Sequence, residues 1–210
     1  MPIRSLEAVA QATALMRAGY LVIVPTDTIY GIATTLAGED TVHRLYEARG
    51  RQPEPALPFL IAGESEMTRL TRPSATAIRL SRRFWPGPLT LILPPAAELP
   101  AYARATPIAV RAPNFPALLP LLVAMGGYLL VSGAIRPGYP PAITAEEAAA
   151  LFGEDVALIL DGGPSPYGLP STIVDCVPEP PAVVRRGAIA EHRIWRALGL
   201  DDRGSARDAR

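Results

Sequence analysis

Lysine is absent from this sequence: all 20 basic residues are arginine, and 20 acidic residues balance them. A net charge of zero gives no overall field that would attract nucleic acid or an anionic membrane surface. Any anion-binding site must therefore be local. Such a site would use arginine, whose planar fork binds carboxylates and phosphates through two parallel hydrogen bonds.

Cysteine and histidine are scarce as well. The single cysteine, Cys176, excludes an internal disulfide and fits a reducing cytoplasm, and its apolar neighbours predict an inert core thiol. His43 and His192 lie far apart, without the close spacing of a zinc site. The sequence therefore predicts no metal held by protein side chains.

Long apolar runs are also missing. The longest uncharged stretch, near residues 117–135, is broken by Pro120 and by the pair Gly126-Gly127. The N-terminus shows no charged segment followed by an apolar signal core. These features indicate neither a membrane span nor secretion, and they predict a cytoplasmic location.

Hydrophobic residues make up 49% of the 210 positions, which is enough to bury a sizeable core. The 24 prolines are dispersed through the predicted loops, where they indicate rigid connections rather than disorder. The simplest organisation is one domain over residues 1–200, followed by a disordered tail over residues 201–210.

Hydrophobic periodicity alternates between helix and strand along the chain. Ser5 is predicted to cap a helix that extends to about Arg17, and Thr144 to cap a later one. Other helices are predicted over about 39–48, 74–84, 115–125 and 190–198. Strands are predicted at YLVIV, FLIA, LTLIL, IAVRA, YLLVS, VALIL, STIVDC and AVVRR. This alternation predicts an α/β (α+β) fold with one mixed, twisted β-sheet.

A polar cluster interrupts this pattern directly after the first predicted strand. In VPTDTIYGIA, residues 24–33, the side chains of Thr26, Asp27, Thr28 and Tyr30 place three hydroxyls and a carboxylate within five residues. A turn needs no such set, because Asn-Gly would make it more simply. The cluster is therefore predicted to face something small and polar.

Six segments, in their order and spacing, resemble the YrdC/TsaC family. They are VPTDTIYGIA, YEARGRQ, FWPGPLTLIL, IAVRAPNFP, STIVDC and VVRRGAI, and the resemblance spans roughly residues 5–190. It implies a YrdC-like fold in which the sheet surrounds a concave basic cavity. It also implies synthesis of threonylcarbamoyl-AMP and pyrophosphate from L-threonine, bicarbonate and ATP, with Mg²⁺ accompanying ATP. This reaction is the first step towards N6-threonylcarbamoyladenosine in tRNA.

The family's chemistry is adenylyl transfer without a protein nucleophile. The amine of threonine takes up carbon dioxide, and the resulting carbamate attacks the α-phosphorus of ATP. By resemblance, L-threonine is bound by Thr28, Arg111, Ser132 and Ser171. ATP is bound by Arg49, Arg51, Thr144 and Arg185, and the reacting centre contains Arg49, Arg51 and Ser132. Positive groups suit this site because a carboxylate, a carbamate and a triphosphate repel one another.

Three positions depart from the family pattern. Arg49 stands where a lysine is usual, which keeps the charge but changes the geometry. Ala134 stands where a Ser-x-Asn segment has asparagine, although Ser132 is kept, and an asparagine there is expected to preserve or improve ATP use. Leu60 takes the place of a histidine that some members have.

These departures leave three function classes open. The first is an active threonylcarbamoyl-AMP synthase, and the second is a related enzyme with another carbamoyl or acyl substrate. The third is a non-catalytic protein that binds double-stranded RNA or takes part in an assembly. Candidate macromolecular partners are accordingly tRNA, double-stranded RNA and tRNA-modification proteins.

Two glycine-containing motifs carry no predicted chemistry. Trp85-Pro86-Gly87-Pro88 offers no titratable group suited to the reaction and is interpreted as a rigid segment that leads into a strand. DGGPSPYG, residues 161–168, is interpreted as a turn, because glycine richness alone is weak evidence for a phosphate site.

Overall fold

The structure is a computed structural model that describes residues 3–50 and 56–200. Within this part the chain forms ten strands, β1 (Ile3–Ser5), β2 (Val22–Val24), β3 (Gly31–Thr34), β4 (Leu57–Ile61), β5 (Leu89–Leu93), β6 (Ile108–Arg111), β7 (Tyr128–Gly133), β8 (Leu158–Asp161), β9 (Thr172–Asp175) and β10 (Ala182–Arg185). The predicted site residue Arg51 and the predicted tail over 201–210 lie outside the described residues.

Eight α-helices connect or flank these strands in the described part. They are α1 (Val9–Arg17), α2 (Glu39–Ala48), α3 (Glu64–Leu70), α4 (Ala75–Phe84), α5 (Ala101–Arg104), α6 (Leu119–Ala124), α7 (Ala145–Phe152) and α8 (Glu191–Leu198). Short 3-10 turns at Leu6–Ala8 and Pro116–Leu118 precede α1 and α6. No helix of this part combines the length and the apolar character that a bilayer crossing requires.

All ten strands form one sheet in the order β1-β8-β2-β3-β7-β4-β6-β5-β9-β10. The sheet is mixed, because it contains parallel pairs such as β4 with β6 and antiparallel pairs such as β3 with β7. The predicted single α/β domain with a mixed sheet is confirmed. Segments that are distant in sequence are thereby brought side by side, β5 next to β9 and β3 next to β7.

The core lies on both faces of the sheet. Val22 and Val24 belong to one buried cluster and the intervening Ile23 to the other, as the period of two in a strand requires. Helices α1 and α6 cover the face of Val22, to which they contribute Met16 and Leu121. The other face is covered by side chains from α2, α4, α7 and α8. A sheet covered in this way gives its strand ends a rigid frame.

Side-chain caps define the start of two helices. The hydroxyl of Ser74 accepts a hydrogen bond from the backbone N–H of Ala77 at the start of α4, at 3.2 Å. Thr144 does the same for Glu147 at the start of α7, also at 3.2 Å, so the predicted cap is confirmed. The predicted cap at Ser5 is wrong, because the 3-10 turn precedes α1 and the Ser5 side chain makes no capping hydrogen bond.

Some elements were not predicted. Strand β3 follows the polar cluster directly and pairs with both β2 and β7, so residues 25–30 form the connection between two neighbouring strands. Helices α3 and α5 and strand β1 were also missed. Cys176 is buried in the core, and burial raises the pKa of its thiol to about 12, in keeping with the predicted inert thiol.

Candidate active site

A cavity opens on one face of the central strands. Strand register builds its floor: Leu60 on β4 lies beside Arg111 on β6, and Thr90 on β5 lies beside Ile173 on β9. All four of these residues line the cavity. Residues paired in register point to the same face of a sheet, so the order of the strands selects which side chains meet here.

The cavity gathers most of the site residues that the sequence predicts. Its lining includes Thr28, Arg49, Arg111, Ser132, Ser171 and Arg185. Thr144 is not among the described lining residues, and its hydroxyl is occupied as the cap of α7. Arg51, as stated above, lies outside the described residues. The structure thus gives the predicted residues one location, with Thr144 apart from them.

Three residues of the polar cluster between β2 and β3 line the cavity, Thr26, Thr28 and Tyr30, and their hydroxyls make different contacts. Thr26 shapes the loop: its hydroxyl donates to the carbonyl of Ile29 at 2.6 Å and accepts from the N–H of Thr28 at 3.1 Å. Thr28 presents its own hydroxyl to Arg111, whose Nη1 donates to it at 2.6 Å. The cluster therefore holds a loop in place and brings the hydroxyl of Thr28 to Arg111.

Tyr30 lines the cavity, but its hydroxyl is bound to the protein. The hydroxyl donates to the carbonyl of Gly163 at 2.8 Å and lies 3.3 Å from a carboxylate oxygen of Asp161. Burial raises the pKa of Tyr30 to about 12. The predicted contact of this hydroxyl with a small polar ligand is therefore unsupported, and the DGGPSPYG turn serves as its anchor.

Arg111 lies at the end of β6 and is held by three acceptors. Its Nε donates to the carbonyl of Gly87 at 3.1 Å, Nη1 to Thr28, and Nη2 to Oδ1 of Asp27. Only 6% of Arg111 is exposed. Burial lowers the pKa of this guanidinium, and the Asp27 carboxylate opposes that effect. The segment around Gly87, interpreted from sequence as only rigid, supplies one of the three acceptors.

Arg49 follows the end of α2 and points into the protein. Only 2% of the residue is exposed, and its Nη1 donates to the hydroxyl of Ser132 on β7. Arg49 is the buried C-cap residue of α2, directly after the last helical residue, Ala48. The contact joins two predicted site residues, Arg49 and Ser132.

Ser171 and Arg185 form a second joined pair. The Nη2 of Arg185 donates to the hydroxyl of Ser171 at 2.9 Å, and its Nε donates to the Ser171 carbonyl at 3.1 Å. The hydroxyl of Thr90 lies 2.7 Å from that of Ser171. Thr90 is a lining residue that the sequence did not single out, although it lies within the FWPGPLTLIL motif.

The altered Ser-x-Asn segment directs its third residue, Ala134, away from the cavity. Ala134 is completely buried within the hydrophobic core and is not among the lining residues. Its backbone N–H donates to the carbonyl of Tyr30 at 2.8 Å, and its carbonyl accepts from Ala142 at 3.0 Å. Ile135, the next residue, lines the cavity instead. An amide at position 134 would thus enter an apolar environment.

The described lining of the cavity contains arginines but no carboxylates. Three arginines, Arg49, Arg111 and Arg185, belong to it, and no carboxylate of the described residues does. Asp27 compensates Arg111 from behind, since it is 1% exposed and is not a lining residue. Such a lining suits an anionic ligand with several oxygen atoms. It offers no set of carboxylate oxygens for a metal ion.

Comparison with known proteins shows the family of this chain. The family model described as telomere recombination, which covers Sua5, YciO and YrdC, matches residues 14–187. This chain belongs to the Sua5/YciO/YrdC family. The threonylcarbamoyl-AMP synthase of Bacillus subtilis is 36% identical over 195 residues, which is 91% of this chain. The putative threonylcarbamoyl-AMP synthase of Mycobacterium tuberculosis H37Rv is 35% identical over 197 residues and 92% of this chain.

Solved structures show the same family fold. The crystal structure of Pyrococcus abyssi Sua5 complexed with L-threonine superposes with a TM-score of 0.86 at 29% identity over 99% of this chain. Escherichia coli YciO superposes with a TM-score of 0.78 at 26% identity over 89% of this chain. The alignments cover 92% of the YciO chain but 61% of the P. abyssi chain.

The relatives differ in length from this chain. The match covers 56% of the B. subtilis synthase and 90% of the M. tuberculosis protein. The Sua5/YciO/YrdC domain is therefore the part that all of them share with this chain.

Proposed function

We propose that this chain is a threonylcarbamoyl-AMP synthase. It would form threonylcarbamoyl-AMP and pyrophosphate from L-threonine, bicarbonate and ATP, for N6-threonylcarbamoyladenosine in tRNA. The observation that carries the proposal is the convergence of Arg49, Arg111 and Arg185 on one cavity. The names of the relatives and the L-threonine complex of P. abyssi Sua5 support the same reaction.

The amino acid would bind at Arg111. Its guanidinium has a fixed orientation, and the hydroxyls of Thr28, Ser132 and Ser171 line the same cavity. A guanidinium fork offers a carboxylate two parallel charge-assisted hydrogen bonds. Leu60 lies beside Arg111 and gives this part of the cavity an apolar wall where some relatives have histidine.

The nucleotide would bind at Arg49, Arg51 and Arg185, whose charges suit the triphosphate. A carbamate oxygen of the N-carboxylated threonine would form a bond to the α-phosphorus, and the bond from that phosphorus to the bridging oxygen of pyrophosphate would break. Positive groups that are fixed before the substrates arrive reduce the repulsion between the anions without reorganisation. The burial of Arg49 and its contact with Ser132 supply such a fixed group.

Mg²⁺ would enter with ATP. The described cavity lining contains no carboxylate, and the described residues contain no group of three or more His, Cys, Asp or Glu side chains that could hold a metal ion. Mg²⁺ is commonly held by substrate phosphates and water. We therefore assign the binding of Mg²⁺ to the triphosphate rather than to protein side chains. The reaction would take place in the cytoplasm, where ATP and tRNA occur.

Pyrophosphate release tests the proposal. Wild type should release pyrophosphate only when ATP, L-threonine and bicarbonate are all present, and Arg111→Ala should reduce this rate by about 100-fold or more, because a buried charge-assisted contact is lost. Arg72→Ala is the matched control, since Arg72 is exposed and does not line the cavity. Release that does not depend on threonine would contradict the proposal and favour a relative with another carbamoyl or acyl substrate.

An RNA partner has one observation in its favour. Arg83 on α4 and Arg193 and Arg196 on α8 line a shared crevice with Phe84 and Ala197, and none of these arginines has a carboxylate partner in the described part of the chain. Their neighbours Arg82 and Arg186 are paired with Glu64 and Glu191. Unpaired arginines beside an aromatic ring suit a phosphate backbone and its bases.

Gel-shift titration tests that contact with tRNA and with double-stranded RNA. The triple change of Arg83, Arg193 and Arg196 to glutamine should weaken binding at least about ten-fold and flatten its salt dependence, because fewer counterions are released. Binding that the triple change leaves intact would contradict a contact at this crevice. RNA binding by a wild type that makes no adenylate would favour the non-catalytic alternative, and co-purification would identify any tRNA-modification partner.

A further inference from the structure

Asp27 belongs to the polar cluster but does not face the cavity. It is 1% exposed, it is not among the lining residues, and its Oδ1 accepts a hydrogen bond from Nη2 of Arg111. The loop that carries it is fixed by its backbone. The carbonyl of Asp27 accepts from the N–H of Tyr167 at 2.9 Å, and the carbonyl of Thr26 accepts from the hydroxyl of Ser165, also at 2.9 Å.

Asp27 compensates the buried charge of Arg111, but the pair as a whole is a poor source of stability. The second oxygen of Asp27, Oδ2, is buried and has no hydrogen-bond partner within the described residues. A buried ion pair often contributes no more stability than well-packed apolar side chains would, because removing both charges from water is costly. A buried polar atom without a partner adds to that cost. The role of Asp27 therefore lies in what it does to Arg111.

The hydrogen bonds of Arg111 show what Asp27 leaves available. Gly87 accepts from Nε, Thr28 from one hydrogen of Nη1, and Asp27 from one hydrogen of Nη2. Each terminal nitrogen therefore retains a second hydrogen without an acceptor in the described part. A carboxylate that binds an arginine at two points takes one hydrogen from each of two nitrogens. Asp27 supplies the described contact of Nη2 and adds a charged third point of attachment to those at Nε and Nη1.

We propose that Asp27 is a positioning residue for the substrate carboxylate, acting through Arg111. It holds the guanidinium in the rotation that directs one hydrogen of each terminal nitrogen to the ligand. This inference rests on the proposed function, in which Arg111 binds the carboxylate of L-threonine. Asp27 would thus belong to the site although it makes no direct contact with the substrate.

Binding of L-threonine, measured by calorimetry, tests the role. Asp27→Ala should raise the Kd for L-threonine about ten-fold or more, while the Kd for ATP stays within about two-fold, because only the carboxylate subsite loses its orientation. Asp27→Asn keeps an oxygen that can accept from Nη2, and its Kd for L-threonine should stay within about three-fold of wild type. Asp155→Ala is the matched control, since it breaks the Arg136–Asp155 pair away from the cavity.

A second ligand separates positioning from a structural effect. L-Threoninamide lacks the carboxylate, so wild type should prefer L-threonine to it, and Asp27→Ala should lose most of that preference. If Asp27→Ala does not fold, Asp27→Ser takes its place under the same criteria. An unchanged Kd for L-threonine, or a parallel loss of affinity for L-threonine, L-threoninamide and ATP, would overturn the inference. A wild type that binds L-threonine but makes no adenylate would contradict the proposed function alone, since the binding comparison would still decide the role of Asp27.

Discussion

Thr28 is a cavity-lining residue of the polar cluster whose hydroxyl contacts Arg111. It is 1% exposed, and its hydroxyl accepts a hydrogen bond from the Arg111 guanidinium. We expect Thr28→Val to raise the Kd for L-threonine about ten-fold, because a hydrogen bond to a charged donor contributes about 1.5–3 kcal/mol, and to leave the Kd for ATP almost unchanged. Thr68→Val, on the exposed side of α3, is the control. Equal losses for both ligands would show that Thr28 supports only the loop.

Ala134 is the residue at which the structure changes an expectation from the sequence. An asparagine there was expected to preserve or improve ATP use, but the side chain points into the core. We expect Ala134→Asn to lower the free energy of unfolding by about 1–3 kcal/mol, because an amide is buried without a partner. Ala134→Leu, which has the same branched side-chain skeleton as asparagine but no polar atom, separates polarity from size. Tighter ATP binding by a fully stable Ala134→Asn variant would show that position 134 faces the nucleotide.

Thr144 is the N-cap residue of helix α7, and a substitution there distinguishes a helix cap from a contact with ATP. Its hydroxyl caps α7, and the residue is not in the described cavity lining. Thr144→Ala should cost about 1 kcal/mol of stability, as N-cap removal typically does, without raising the KM for ATP. Ser74→Ala, at the cap of α4, should behave alike. A raised KM for ATP with unchanged stability would support the predicted nucleotide contact instead.

Some helices, strands and site residues could be predicted from the sequence, and others could not. The segments that carry Thr28, Arg111 and Ser171 could be recognised from their motifs, and long periodic segments such as α4 and β5 were located correctly. Strand β3 was missed because it follows the polar cluster without a break and is defined by its partners β2 and β7. The contacts of Arg49 with Ser132 and of Arg111 with Asp27 depend on strand order, which local patterns do not encode.

At the scale of the whole molecule, two buried groups predict a loss of stability at alkaline pH. The pKa of Cys176 rises from 9.0 and that of Tyr30 from 10.0, each to about 12. Because the pKa values of both groups are higher in the folded than in the unfolded chain, their contribution to the free energy of unfolding is complete below the unfolded pKa values. That contribution is lost as the pH rises through about 12. Since one pKa unit corresponds to about 1.4 kcal/mol, we expect urea unfolding to show a loss of a few kcal/mol between about pH 9 and 12.

Cys176→Ala provides the comparison for this alkaline transition. The variant lacks the buried thiol, so its stability should fall less steeply between pH 9 and 12 than that of wild type, even if it is less stable at neutral pH. The thiol of native wild type should also react slowly with an alkylating reagent at pH 8, because little thiolate is present. Rapid alkylation of the folded protein would contradict the burial of Cys176.

Incorporation of ¹³C-bicarbonate tests whether one cavity joins threonine, bicarbonate and ATP. Purified wild type, incubated with Mg²⁺, ATP, L-threonine and ¹³C-bicarbonate, should yield threonylcarbamoyl-AMP whose mass shows one ¹³C in place of ¹²C. One pyrophosphate should be released per adenylate. Arg111→Ala should yield almost none, and Arg72→Ala should match wild type. Folded wild type that binds ATP and L-threonine but forms no labelled adenylate would contradict the proposed synthase reaction.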